Sequence, residues 1–109
     1  MVSINNFRKL SFLVYGVGST GKSVIKFFKR NKITNFKVWD DNDEKSYKLK
    51  RPISLDRTLR EVDYIILSPG ISLYNSRNKK KLIKYKGKII TDIDLVFLLK
   101  KFYKSIVVT

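Results

Sequence analysis

Along the 109 residues, short apolar runs typical of strands alternate with segments in which apolar residues recur at helical spacing. Short apolar runs that stop at turn residues predict five strands, over residues 10–15, 36–40, 63–68, 88–90 and 105–109. Apolar residues three and four positions apart predict helices between them, over residues 20–31, 55–62, 75–87 and 91–103. Strands that alternate with helices indicate an α/β fold, which we expect to be a Rossmann-like, three-layer domain with a mostly parallel five-stranded sheet.

The composition narrows the classes of function. The net charge is +15, which favours an anionic partner such as a nucleic acid, an acidic membrane or a phosphorylated ligand. Only six of the 24 cations are arginine, and the lysines are spread over the chain, so a solvated basic surface is favoured over a nucleic-acid patch. Cysteine and histidine are absent, which excludes thiolate metal sites and Cys-His or Ser-His catalysis. No segment resembles a signal peptide or a membrane span, so we expect a cytoplasmic protein without a membrane partner.

The sequence "GVGSTGKS", residues 16–23, matches two phosphate-binding patterns. As a P-loop it would place Lys22 on the phosphates of ATP, whereas as G-x-G-x-x-G it would leave Lys22 as an ordinary helix residue. Three glycines, Gly16, Gly18 and Gly21, suit a tight turn, a close ligand approach and helix packing, and this favours the second pattern. Asp40 follows Gly21 by 19 residues, as expected for a ribose-reading acid. A glycine turn that only packs strand against helix remains the alternative.

The sequence "LSPGI", residues 67–71, follows the third predicted strand. Ser68 supplies a hydroxyl group, Pro69 stiffens the turn, and Gly70 permits a close backbone approach. A plain turn is the alternative, but ligands of open α/β sheets bind at the carboxyl ends of the strands. Together with the glycine turn and Asp40, this loop is predicted to form one crevice.

The ordered set "GVGSTGKS", "VWDDND", "LSPGI", "TDIDLVF" and "SIVVT" resembles the N-terminal domain of the Mur ligases over nearly the whole chain. It is most similar to the branch of that family that adds D-glutamate. In the family, the last of these segments leads into the ATP-binding P-loop of a central domain. The resemblance therefore implies that residues 1–109 are an N-terminal domain of a longer protein, without its central and C-terminal domains.

The resemblance also implies a ligand, the uridine diphosphate (UDP) end of UDP-N-acetylmuramoyl-L-alanine. By motif position, Ser19 and Thr20 would meet the diphosphate and uridine, and Asp40 would meet the uracil. Asp41 and Asn42 stand where some members carry a Thr-Arg pair, and position 22 varies within the family, so Lys22 inherits no role. The full set of candidate ligand-binding residues is Gly18, Ser19, Thr20, Gly21, Asp40, Asp41, Ser68, Pro69 and Gly70.

The parent enzyme implied by the resemblance uses ATP and Mg²⁺ to phosphorylate the alanine carboxylate, and the amine of D-glutamate then attacks. The groups for these steps belong to the other two domains. We therefore expect the isolated chain to bind nucleotide weakly and to catalyse nothing, with no catalytic residue, metal or cofactor of its own. Two alternatives remain open: an NAD-binding Rossmann regulatory module, and a basic nucleic-acid-binding domain.

Overall fold

The computed structural model describes residues 8–41, 50–67 and 78–103, with the side chains of residues 99–103 excepted. The strands are β1 (Phe12–Tyr15), β2 (Phe36–Trp39), β3 (Tyr64–Leu67) and β4 (Ile89–Ile90). The helices are α1 (Ser19–Arg30), α2 (Leu55–Glu61), α3 (Lys79–Lys84) and α4 (Asp92–Tyr103), and a short 3₁₀ helix covers Lys86–Lys88. Strands and helices alternate, as predicted.

The four strands form one parallel sheet in the order β2-β1-β3-β4. The α/β class and the parallel sheet are thus confirmed, but this sheet has four strands and not five; the predicted strand over residues 105–109 lies outside the described residues. Tyr15, the last residue of β1, pairs with Trp39 on one side and Leu67 on the other. The carboxyl ends of three strands are therefore level, and we call this border of the sheet the carboxyl edge.

Strand β2 lies on one side of β1, and β3 lies on the other side. The order in which strands are added to the sheet therefore reverses at β1. The order matches the first four strands of a common doubly wound arrangement. In such sheets the loops after the two strands at the reversal diverge and leave a crevice. The glycine turn follows β1, so it borders this crevice.

Side chains of β1 alternate between the two faces of the sheet and begin two separate cores. Phe12 and Val14 pack with residues of α1 and with Leu95 of α4. Leu13 and Tyr15 pack with residues of α2 and with Leu82 of α3. Helices therefore cover both faces of the sheet.

Helix α1 begins and ends within one residue of its predicted bounds. Its apolar side bears the buried residues Val24, Ile25 and Phe28, and the ring of Phe28 lies 4.9 Å from that of Phe12 between centroids. Burial of side chains of this size contributes roughly 1.5–3 kcal/mol each. The 3.6-residue period thus predicted both the helix and the face by which it packs.

The prediction that Lys88 begins the fourth strand was wrong. Lys88 ends the 3₁₀ helix, and its ammonium group donates to the carbonyl oxygens of Leu59 at 3.1 Å and Arg60 at 2.6 Å. These carbonyls belong to the last turn of α2, where a cation is favoured by the helix dipole. The preceding helix α3 is also shorter than predicted, and residues 75–77 of that prediction lie outside the described residues.

Two helices begin with side-chain caps. The hydroxyl of Ser54 accepts from the backbone N–H of Arg57 at 3.3 Å at the start of α2. At the start of α4, Thr91 Oγ1 accepts from Asp94 N at 3.2 Å, and Asp94 Oδ2 accepts from Thr91 N at 3.0 Å. This reciprocal pair is a capping box, which satisfies two backbone groups at the helix start.

Candidate functional site at the carboxyl edge

The turn between β1 and α1 contains only three residues, Gly16 to Gly18. A P-loop needs a longer loop in front of its lysine to surround the phosphates. In this chain the helix begins at Ser19, so the three residues before Lys22 are already helical. The hydroxyl of Ser23 donates to the carbonyl of Ser19 at 3.0 Å, within the helix. This geometry favours the dinucleotide-type turn over the P-loop.

Gly16 makes the sharp bend that leaves the strand. Its φ is +104°, a backbone conformation that glycine adopts readily and other residues rarely do. Its N–H donates to the carbonyl of Trp39 at 2.6 Å, so the turn starts as a continuation of the pairing between β1 and β2. The first of the three predicted glycine roles, a tight turn, is therefore present.

Gly18 is different, because nothing in the described chain requires glycine there. Its φ of −80° and ψ of −165° are open to any residue. A Cβ atom placed on Gly18 would meet no atom of the described residues within 4 Å. A turn that only packs strand against helix explains the buried Gly21, but it does not explain Gly18. The free space in front of Gly18 suits a ligand that approaches the backbone.

Gly18, the N-cap residue of α1, has no side chain that could cap the helix, in contrast to the N-cap residues of α2 and α4. The N–H of Lys22 donates to the carbonyl of Gly18 at 2.9 Å and so closes the first turn of the helix. The N–H groups of Ser19, Thr20 and Gly21 are left without a helical acceptor, and no acidic residue lies in this turn. Such a helix start attracts an anion through its N–H groups and its dipole.

Asp40 follows β2 and is only 8% exposed. Its Oδ2 accepts a hydrogen bond from the backbone N–H of Val17 at 2.7 Å. The carboxylate therefore braces the middle of the glycine turn, a role that the sequence spacing did not reveal. Its predicted contact with the ribose or uracil stays a prediction.

The Asp41 side chain makes different contacts from that of Asp40. It belongs to a group of hydrogen-bonded side chains that we call the Asp41 cluster, formed by Tyr15, Trp39, Asp41 and Asn78. Its Oδ1 accepts from the Tyr15 hydroxyl, from Trp39 Nε1 at 3.2 Å and from Asn78 Nδ2 at 2.9 Å. Asn78 Nδ2 also donates to the Tyr15 hydroxyl at 3.0 Å. Sequence reasoning missed this cluster, because Asp41 lies 26 residues from Tyr15 and 37 from Asn78.

The structure brings six of the nine predicted site residues to one edge, namely Gly18, Ser19, Thr20, Gly21, Asp40 and Asp41. Ser19 is exposed and Thr20 is half-buried in the first turn of α1. The other three, Ser68, Pro69 and Gly70, lie outside the described residues. Strand β3 ends at Leu67, level with Tyr15, so the chain leaves β3 beside the glycine turn.

Charged side chains away from the carboxyl edge give little information about the candidate site. Within residues 8–41, 50–67 and 78–103, no three acidic side chains gather closely enough to hold a metal ion. On α2, the hydrogen-bonded guanidinium of Arg57 lowers the pKa of Glu61, but this exposed pair lies in the helix turn that leads to the opposite edge of the sheet. Among the helices described, none combines the length and hydrophobicity needed to cross a membrane.

Comparison with known proteins gives the same family as the motifs. Residues 10–90 match the family described as "Mur ligase MurD-like, N-terminal domain". Relatives named UDP-N-acetylmuramoylalanine–D-glutamate ligase are 31% identical over 99 residues in Aquifex aeolicus and 35% identical over 100 residues in Francisella philomiragia. Each alignment covers 91% of this chain, but only 21% and 20% of the relative. The chain thus spans about a fifth of the length of these relatives.

Proposed function

Because the chain belongs to the Mur ligase MurD-like N-terminal domain family, we propose that its carboxyl edge binds the UDP part of UDP-N-acetylmuramoyl-L-alanine. The relatives carry the nucleotide precursor in their names. The glycine turn supplies the diphosphate site, and the loops after β2 and β3 enclose the nucleoside. We also propose that the fold is Rossmann-like.

The observation that carries this proposal is the open space at Gly18 in front of an uncapped helix. A diphosphate oxygen needs several N–H donors and no Cβ atom in its path. Gly18 provides the clear approach, and the N–H groups of Ser19, Thr20 and Gly21 provide the donors. The hydroxyl groups of Ser19 and Thr20 add donors that can turn toward a phosphate or a ribose.

Asp40 has a double role in this proposal. One carboxylate oxygen holds Val17 and thereby fixes the turn that receives the diphosphate. The same side chain lies at the carboxyl end of β2, in the position of the acidic residue that meets the ribose in dinucleotide-binding folds. Ser68, Pro69 and Gly70 complete the site from the side of β3.

We propose that the whole protein is an ATP-dependent ligase of the cytoplasm that joins D-glutamate to the alanine carboxylate of the precursor. The part described here binds and orients the UDP end. Activation of the carboxylate with ATP and Mg²⁺, and attack by the amine, belong to protein segments beyond these 109 residues. The chain alone is then a binding domain without turnover.

Isothermal titration of the 109-residue chain with UDP, uridine monophosphate and NAD tests the proposal. We expect UDP to bind, and the monophosphate to bind more weakly because it lacks one phosphate of the diphosphate. NAD is expected to give no heat at the same concentration. Tighter binding of NAD than of UDP would instead support the alternative of an NAD-binding regulatory module. Strong, steeply salt-dependent binding to DNA or RNA in place of UDP would support the nucleic-acid alternative.

A further inference from the structure

The Asp41 cluster joins three segments that are distant in the sequence. Tyr15 ends β1, Trp39 and Asp41 lie at the end of β2, and Asn78 immediately precedes α3. One carboxylate oxygen accepts hydrogen bonds from the side chains of Tyr15, Trp39 and Asn78. The cluster therefore fastens the turn after β2 to the start of α3.

The hydrogen bonds in the cluster are of a strong kind. The Tyr15 side chain is fully buried, so its hydroxyl must find a partner inside the protein. A carboxylate acceptor makes a charge-assisted bond, which is shorter and stronger than a bond between neutral groups. The amide of Asn78 donates to both Tyr15 and Asp41, which closes a ring of three side chains.

Two neighbouring aspartates thus join the end of β2 to two different parts of the carboxyl edge. Asp41 fixes the backbone after β2 to Tyr15 and Asn78, while Asp40 carries the hydrogen bond to Val17 N–H. A shift of Asp41 would displace Asp40 through the peptide bond between them. It would then displace the glycine turn, whose middle residue is Val17.

From this connection we propose that Asp41 is a positioning residue for the diphosphate site and not a contact to the nucleotide. The inference rests on the proposed function, and it reassigns Asp41 from the set of ligand-binding residues. Asp41 acts through Asp40 and Val17 on the N–H groups at the start of α1. Its effect on UDP binding therefore depends on Tyr15 and Asn78, which have no part in the predicted ligand contacts.

The test measures the Kd for UDP by calorimetry in four variants of the 109-residue chain: Tyr15→Phe, Asn78→Ala, Asp41→Ala and the double variant Tyr15→Phe with Asp41→Ala. Circular dichroism first confirms that each is folded at the temperature used. We expect each single variant to weaken UDP binding by about three- to tenfold, the range of one net hydrogen bond. The double variant should bind no more weakly than Asp41→Ala, because both changes break one network.

Two further variants sharpen the test. Asp41→Asn keeps an acceptor oxygen and should recover most of the affinity that Asp41→Ala loses. Tyr64→Phe is a matched control, since it removes a tyrosine hydroxyl at the amino end of β3, away from the carboxyl edge; it should leave the Kd unchanged. If Tyr15→Phe does not fold, Asn78→Ala still tests the inference. Asn78 is only half-buried, so its replacement should not unfold the chain.

Each contrary result has a distinct meaning. If Asp41→Ala weakens UDP binding while Tyr15→Phe and Asn78→Ala do not, Asp41 is a direct contact and the inference is wrong. If the melting temperature falls in all variants but the Kd stays constant, the cluster only stabilises the fold and the inference is again wrong. If the unaltered chain does not bind UDP, the proposed function itself fails, and the inference fails with it.

Discussion

Asp40 Oδ2 accepts the backbone N–H of Val17 at 2.7 Å, and this hydrogen bond joins the end of β2 to the glycine turn after β1. Asp40 is 8% exposed, so the bond lies largely out of water. A buried N–H that loses its acceptor costs free energy, because water cannot replace the lost partner fully. The turn therefore depends on a carboxylate that lies 23 residues away in the sequence.

Replacement of Asp40 tests that dependence. Asp40→Ala leaves the Val17 N–H without its acceptor and should lower the free energy of unfolding by about 1–3 kcal/mol. Asp40→Asn retains an acceptor oxygen and should cost clearly less. Urea denaturation of the three proteins gives the comparison. Equal losses in the two variants would mean that the side-chain oxygen does not support the turn.

Gly16 should tolerate no side chain. Its φ of +104° makes Gly16→Ala strained, and we expect a loss of about 1–2 kcal/mol in the free energy of unfolding. Gly87→Ala is the matched control, because a Cβ atom at Gly87 meets nothing within 4 Å. Thermal unfolding of both variants measures the difference. A Gly16→Ala protein as stable as the control would show that the turn adopts another conformation in solution.

Lys22 should have no special role. It is exposed on α1, one turn before Lys26, which is also exposed. It follows a helix start that leaves no room for a P-loop. Lys22→Ala and Lys26→Ala should each weaken UDP binding by less than about threefold, through loss of general attraction to an anion. Neither variant nor the unaltered chain should hydrolyse ATP in a phosphate-release assay. Turnover that disappears only in Lys22→Ala would restore the P-loop interpretation.

The capping box at the start of α4 gives a prediction about stability alone. Thr91→Ala removes the acceptor for Asp94 N–H and should lower the free energy of unfolding by about 1 kcal/mol. UDP binding should not change, since Thr91 is not among the candidate ligand-binding residues. Thr34→Ala, at an exposed threonine outside the helices, serves as the control. A change in the Kd for UDP would place Thr91 in the site.

Much of the fold was predictable from local patterns. The run 10–15 predicted β1, and the apolar positions of α1 predicted the side that packs on the sheet, because both signals lie within a few residues. The glycine pattern predicted the turn and its place at the carboxyl edge. Lys88 was misplaced because its partners, the carbonyls of Leu59 and Arg60, are set by tertiary structure and leave no mark on the local pattern.

The aspartates after β2 also make contacts that the local sequence pattern could not predict, in this case at the candidate site. The spacing from Gly21 pointed to Asp40, but it could not show that the carboxylate binds Val17 N–H. Asp41 was grouped with the ligand-binding residues because of its position in the motif. Its hydrogen bonds to Tyr15 and Asn78 depend on the pairing of β1 with β2 and on the position of α3, which no spacing rule contains.

The open space at Gly18 permits the most direct test of the central claim, that the glycine turn binds a diphosphate. Gly18 has the extended conformation of a helix N-cap, so Gly18→Ser should fold normally and gain roughly a few tenths of a kcal/mol by capping α1. The added side chain would occupy the space in front of the free N–H groups and compete for them.

The decisive measurement is therefore the Kd for UDP of Gly18→Ser beside that of Gly87→Ser, a serine placed in open space elsewhere. We predict that Gly18→Ser binds UDP at least about tenfold more weakly although it is at least as stable, the effect of about 1.4 kcal/mol on binding. Gly87→Ser should bind as the unaltered chain does. A Gly18→Ser protein that binds UDP with unchanged affinity would contradict the assignment of this turn to the diphosphate.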